Sequence, residues 1–189
     1  MSRGPVRGAD GKPRCPWAVS APEYVAYHDQ EWGRPLASDD AMFERMSLEG
    51  FQSGLSWLII LRKRAAFRAA FADFSIPKVA AFGPDDVQRL LADAGIVRNR
   101  AKIEATIANA AAVAGLPGGL LDFVSGFAPT GRRKAPVTLD DVPATSPESV
   151  AMAKALKAHG VRFVGPTTAY ALMQATGLVN DHLKGCTSR

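Results

Sequence analysis

The chain is poor in the residues and patterns that mark several common protein classes. Only two cysteines, Cys15 and Cys186, occur in 189 residues. Small disulfide scaffolds are cysteine-dense, so that class is excluded, and in a reducing compartment this pair stays as thiols or as metal ligands. No apolar run approaches the roughly 20 residues needed to cross a bilayer. No apolar segment follows the N-terminal charges, so no secretory signal is read, and a cytoplasmic protein is expected. Strand-type alternation is scarce, and no repeat of roughly 20 to 50 residues recurs.

A composition of 47% hydrophobic and 22% charged residues is that of a folded globular chain, and 189 residues suffice for one core, in two lobes at most. The net charge of +5 suits a polyanionic partner, and equally a plain solvated basic surface. Residues 1–14 hold three glycines, two prolines and four basic side chains against one acid. Nothing there packs a core, so a disordered basic tail is expected over 1–14 and a single domain of two helical lobes over 15–189.

Helix signals fill the remainder. Ser38 caps a helix opening with Asp39 and Asp40, whose carboxylates suit the positive helix end. A second helix runs from near Ser56 to about Phe74, with Leu58, Ile59, Ala66, Phe67 and Phe71 on its apolar side. Pro84 opens a third helix, which Gly95 ends. A fourth runs from about Asn99 to Ala114 and breaks at Leu116-Pro117-Gly118-Gly119. Residues 128–147 contain four prolines and read as a loop. Ser146-Pro147-Glu148 starts another helix that Gly160 stops, and Pro166 starts a last one that Gly177 closes. The class is all-α.

Met42, Met46 and Glu49 are spaced four and three apart and share a helix face. That face is read as the buried one, with Glu44 and Arg45 lying elsewhere. A carboxylate there costs several kcal/mol unless it is paired or performs chemistry. One reading puts Glu49 at a frayed helix end, reaching water or an arginine. The other rests on its neighbours Gly50, Gln52, Gly54, Leu55, Ser56 and Trp57, since a carboxylate, an amide and an indole are the materials of a nucleobase pocket. Trp57 suits a plain core equally well.

Two of the three tryptophans and two of the three tyrosines fall within 17–32, as Trp17, Tyr24, Tyr27 and Trp32. His28 lies among them. Cys15 and His28, with the distant pair His182 and Cys186, make a Cys₂His₂ set of the kind zinc takes in closed tetrahedral sites. Such a site would clip the first ordered residues to the last. The alternative is two buried thiols beside two hydrogen-bonded histidines. Between the last two helices, near 160–169, a short turn carries Gly165, Thr167 and Thr168. It leaves free N–H groups at a helix N-terminus, which attract phosphate, although an ordinary helix–helix turn reads the same way. Basic clusters stand at Arg62-Lys63-Arg64, at Arg98, Arg100 and Lys102, and at Arg132-Arg133-Lys134. Each alone is a solvated face; with the turn they make a DNA surface.

Taken together, Cys15-x-Trp17, Tyr24, Tyr27-His28-Asp29-x-Glu31-Trp32-Gly33, Leu48-Glu49-Gly50, Gly54-Leu55-Ser56-Trp57, Ala94-Gly95-Ile96, Phe163-Val164-Gly165 and Val179-Asn180-Asp181-His182 resemble, in order, the pattern of the DNA-3-methyladenine glycosylase I family. The resemblance implies the helix-hairpin-helix DNA glycosylase fold, with the hairpin near Gly165 and one structural zinc on Cys15, His28, His182 and Cys186. It implies that Glu49, Tyr27 and Trp57 contact a flipped base, with Trp17 and Tyr24 near the pocket. Gly54 and Leu55 would meet DNA, Leu55 as a wedge, and Gly165 and Thr167 would meet its backbone. The implied activity is hydrolytic release of 3-methyladenine from double-stranded alkylated DNA by a monomer, with Glu49 as the catalytic group. Related glycosylases carry an Asp after the hairpin, and the lyase-active ones a Lys at it. Asn180 stands at the Asp position here, and Thr167 and Thr168 where Lys would be, so no strand cleavage is expected.

Overall fold

A computed structural model describes residues 4–131 and 133–189. Nine α-helices occur among the described residues: α1 (Pro22–Gln30), α2 (Asp39–Gln52), α3 (Trp57–Ala70), α4 (Ile76–Ala80), α5 (Pro84–Ala92), α6 (Arg100–Ala114), α7 (Gly119–Ser125), α8 (Pro147–Ala158) and α9 (Pro166–Ala175). Their ends sit where side-chain caps allow. Ser38 accepts from the Ala41 N–H at 3.2 Å, Asn99 from Lys102 at 3.1 Å and Ser146 from Ser149 at 3.2 Å.

Helix α2 is the centre of the fold. Nine of the ten positions from Met42 to Phe51, all but Glu44, are buried. A helix buried on most of its circumference has no polar face to turn outward. For that reason Arg45, expected away from the buried face, lies inside with only 7% of its surface exposed. One hydrophobic core joins α2 to Phe67 and Phe71 after it, Ile103 and Ala110 of α6, Leu156 of α8 and Leu172 and Met173 of α9. On α3 the expected apolar side holds at Phe67, and at Phe71 just beyond the helix, both fully buried, but not at Ile59, which is 40% exposed while its neighbour Ile60 is fully buried.

Helices α8 and α9 form the hairpin. Gly160 ends the first arm with φ +90°, and Val161 and Val164 anchor the turn in the core. The Asn109 amide of α6 clamps the turn, donating to the Arg162 carbonyl at 3.0 Å and accepting its N–H at 2.7 Å. Phe163 projects from the turn with φ +59° and 46% exposure.

The expectation of a disordered tail does not hold for residues 4–14; residues 1–3 lie outside the described part. Strands β1 (Val6–Arg7) and β2 (Pro13–Arg14) pair antiparallel, Val6 opposite Arg14. Arg14, buried to 3% exposure, holds them down by bonds of 2.7–3.0 Å to Asp10 and Asp29. Composition hid this, because the order comes from one arginine gripping a carboxylate of α1.

Candidate active site

A cleft of about 340 Å³ opens where α1, α2, α3, α9 and the 128–147 segment meet, a size usual for small-molecule sites. Trp17, Tyr24, Tyr27, Trp57 and Glu49, all expected to meet a base, line it together. Trp17 packs edge-on against Tyr24 (centroids 5.6 Å) and Trp32 (5.1 Å), and Tyr27 tilts against Trp57 at 5.5 Å. Flat walls of this kind suit a planar heterocycle.

Glu49 sits on the last full turn of α2 with 6% of its surface exposed, and its carboxylate, which borders the cleft, accepts no hydrogen bond among the described residues. Burial pushes its carboxyl up to about 7, against the opposing pull of Arg45. Neither the frayed end nor an arginine clasp describes it. A largely buried carboxylate that faces an aromatic cleft with no protein partner is arranged for a ligand. The Trp57 indole N–H is also buried without a partner.

Behind the cleft lies a charged lattice that the sequence reading missed. Arg45 donates to the Tyr27 hydroxyl oxygen at 2.5 Å and lies over the Tyr27 and Trp57 rings at 5.2 and 5.6 Å. Its charge faces Glu31 at 3.6 Å, and Glu31 is held in turn by Arg64 through two bonds of 2.5 and 2.8 Å. Burial holds the Tyr27 hydroxyl well above its usual range, so it keeps its proton.

The far wall corrects a sequence-based expectation. Asn180 is exposed and away from the cleft; its side chain accepts the His182 N–H at 3.2 Å. The carboxylate of this segment that lines the cleft is Asp181, which accepts from the Tyr170 hydroxyl at 2.6 Å and the Gln174 amide at 3.0 Å. The shift of one residue follows from Val179 and Asp181 both turning inward, which leaves Asn180 outward. The 128–147 segment, assigned no role from sequence, supplies Leu139 and Val142 to the same wall. Arg133 ties it down by donating to the Tyr170 hydroxyl at 2.8 Å, while Arg132 lies outside the described residues.

The basic clusters are largely neutralised from within. Arg62 pairs with Glu23, Arg64 with Glu31 and Arg100 with Glu104, at 2.7, 2.5 and 3.2 Å. Lys63 donates to the Ala94 and Gly95 carbonyls, and Lys102 caps the end of α2 through the Phe51 and Ser53 carbonyls at 2.8 and 2.6 Å. Counting cations along a chain does not reveal which carboxylate or carbonyl will claim each one. The groups placed for DNA do lie at the surface. Gly54 turns with φ +81°, Leu55 beyond it is 38% exposed, and Gly165 caps α9 with Thr167 exposed in its first turn.

Cys15, His28, His182 and Cys186 converge beside the cleft, all buried, with ligating atoms within 4.8 Å of one another. His28 Nδ1 donates to Asp29 at 2.8 Å and His182 Nε2 to the Trp32 carbonyl at 3.3 Å. Those two bonds leave His28 Nε2 and His182 Nδ1 without protons, and these bare nitrogens face each other at 3.2 Å. Two lone pairs so placed repel unless a cation lies between them. Cys186 Sγ stands 3.4 and 3.6 Å from the same nitrogens, and Cys15 Sγ 3.9 Å from His182 Nδ1. Bonds of about 2.0–2.1 Å to nitrogen and 2.3 Å to sulfur put neighbouring donors of a tetrahedron about 3.3–3.8 Å apart, so the set fits one metal ion. Arg14 and Asp29 orient the first histidine from outside. Gly33, φ +80°, is required here, since a Cβ would stand 3.1 Å from His182 Nε2. The aromatic wall leans on this centre: Trp17 packs on His28 at 5.2 Å and Trp32 on His182 at 4.6 Å.

Comparison with known proteins agrees with this geometry. The model of the methyladenine glycosylase family matches residues 17–189. DNA-3-methyladenine glycosylase 1 of Escherichia coli (strain K12) is 46% identical over 92% of this chain and 95% of its own length. The fold is similar to a crystal structure of 3-methyladenine DNA glycosylase I, with a TM-score of 0.88 at 45% identity over 92% of this chain and 98% of that one. It is similar also to 3-methyladenine DNA glycosylase I from Staphylococcus aureus, in a structure solved for 3-methyladenine recognition, with a TM-score of 0.87 at 34% identity over 93% and 95%.

Proposed function

The chain belongs to the methyladenine glycosylase family, and we propose that its work, release of 3-methyladenine from alkylated DNA by hydrolysis of the N-glycosidic bond, is carried by Glu49. The observation behind that role is the buried, unpartnered carboxylate in an aromatic cleft. Methylation at N3 gives the base a positive charge and makes it a good leaving group, so no strong general acid is required. Glu49 attracts the cation and accepts from its amino group, Tyr27 adds a polar contact, and Trp17, Tyr24 and Trp57 enclose the ring. Water then attacks the sugar carbon. The DNA is double-stranded and bound by a monomer: Leu55 fills the gap left by the flipped nucleotide, while the N–H groups at the start of α9 beyond Gly165, with Thr167, hold the backbone. Among the described residues none that lines the cleft is a lysine, which favours hydrolysis without a Schiff base. The ion at Cys15, His28, His182 and Cys186 is zinc, the metal this mixed sulfur and nitrogen set favours. With four protein ligands it fastens the ends of the chain and leaves no open position for water.

Analysis of the bases released from methylated duplex DNA tests the reading. The expected product is 3-methyladenine with the sugar–phosphate strand intact. Release of no base, or a strand break accompanying each release, would overturn it. A second expectation concerns pH. Glu49 titrates near 7 and attracts a cation only when ionised, so activity is lost on the acid side. Below that point kcat/KM should fall about tenfold per pH unit, provided that the base stays cationic throughout. A profile flat from pH 5 to 8 would contradict the role given to Glu49.

A further inference from the structure

We propose that Arg45 is a positioning residue of this reaction: from behind the cleft it fixes the Tyr27 hydroxyl as a hydrogen-bond donor to the base. The proposal rests on the reading of Glu49 and Tyr27 as the polar contacts to the base and extends it to a residue outside the cleft. A guanidinium has donors and no acceptor, so the 2.5 Å contact runs one way, from Arg45 to the Tyr27 oxygen. A phenol oxygen has two favourable in-plane directions. Arg45 takes one, and the hydroxyl proton is left with the other. Among the described residues that proton has no acceptor.

The guanidinium is itself immobile. It is 7% exposed, sits over the Tyr27 and Trp57 rings at 5.2 and 5.6 Å, and faces Glu31, which two bonds from Arg64 hold in place. Pairing with Glu31 also balances its charge, so a cationic base in front of the rings is not repelled by a bare cation behind them.

Of the two polar groups assigned to the base, the Tyr27 O–H is then held as a donor beside the Glu49 carboxylate, an acceptor. An adenine edge offers the complement, an amino donor beside a ring-nitrogen acceptor. A guanine edge offers N7 and O6, two acceptors, and sets O6 against the carboxylate. Without Arg45, the hydroxyl is free to turn its proton onto Glu49. That movement withdraws the donor and covers the acceptor together. Adenine loses two contacts and guanine only one.

The test is a double-mutant cycle on the full chain acting on methylated duplex DNA, with released methyladenine and methylguanine counted separately. Arg45→Met and Tyr27→Phe should each lower kcat/KM for methyladenine by roughly ten- to a hundredfold, the range for a hydrogen bond to a charged partner. The double variant should be no worse than Tyr27→Phe alone, and the adenine-over-guanine ratio should shrink in Arg45→Met. Arg45→Lys, which keeps a charge and a donor, should restore most of that ratio. It also serves as the decisive variant should Arg45→Met fail to fold: a collapsed ratio in folded Arg45→Lys overturns the proposal. Losses that multiply in the double variant overturn it too, while leaving the reading of the cleft standing. A Tyr27→Phe enzyme with unchanged release would instead remove the reading on which the proposal rests.

Discussion

Glu49→Gln should lose base release from methylated DNA by roughly a hundred- to a thousandfold, as removal of a charged group aimed at a developing or resident charge does. The amide keeps the size of the side chain and can still accept from an amino group. It cannot attract a cation. The same change should make the fold more stable, which separates loss of chemistry from loss of structure. Burial raises the folded pKa of Glu49 from 4.5 to about 7, so the folded state holds a proton that the unfolded state has given up between those values. Stability from this group therefore falls as pH rises from 4.5 to 7, and the penalty is fully present above 7. Its ceiling is about 3 kcal/mol from the size of the shift, and relief of about 1–3 kcal/mol is expected in the variant at pH 7.5. At pH 4.5 the gain should vanish. Thermal unfolding at both pH values, beside single-turnover base release, reads all of this. An active Glu49→Gln, or one destabilised equally at both pH values, would remove Glu49 from the centre of the mechanism.

Removing the metal should cost both stability and base binding. The four side chains come from distant parts of the sequence, with 12 residues between Cys15 and His28 and three between His182 and Cys186, so an ion held by them closes a loop spanning nearly the whole protein. Without it, two unprotonated ring nitrogens face each other at 3.2 Å. The histidines must turn or take up protons, although burial pushes His182 down to about 4 and so opposes its protonation. Trp17 and Trp32 lean on those rings, so the cleft should loosen with them. Dialysis against a strong chelator should release one zinc ion per chain and lower Tm by about 10 °C, equivalent to about 3–5 kcal/mol in a domain of this size. Quenching of tryptophan fluorescence by free 3-methyladenine should weaken in the same sample and return when zinc is restored. Retention of Tm and quenching after complete metal loss would reduce the centre to an ornament of the fold. His28→Ala should reproduce the chelated state.

These expectations draw unequally on the sequence. Glu49 was placed correctly by its spacing from Met42 and Met46, because helical periodicity is local and survives folding. Arg45, one turn earlier, was not. Periodicity assumes one wet face, and α2 has hardly any, since other helices surround it. The Cys15, His28, His182 and Cys186 cluster was legible as a set because so few cysteines and histidines exist to choose from. Their rivals, buried thiols and satisfied histidines, were separable only once the directions of the ring hydrogen bonds were known. Asn180 and Asp181 show the limit most sharply. Both are polar neighbours in one irregular stretch, and only the backbone path decides which side chain turns into the cleft.

Residue chemistry written along the chain was enough for the helical class, for most helix boundaries, for the ligand set and for the carboxylate in the aromatic cleft. All of these depend on local caps, on periodicity or on rare residue types. Contacts across long separations decided the rest. They brought Leu139, Val142, Gln174 and Asp181 to the cleft. They folded residues 4–14 against Asp29. They spent the Arg62–Arg64 cations on internal partners and placed Arg45 behind Tyr27. The physical reason is the same in each case: a charge or a hydroxyl has no preferred partner until the chain brings one within about 3 Å, and that encounter is a property of the packed structure.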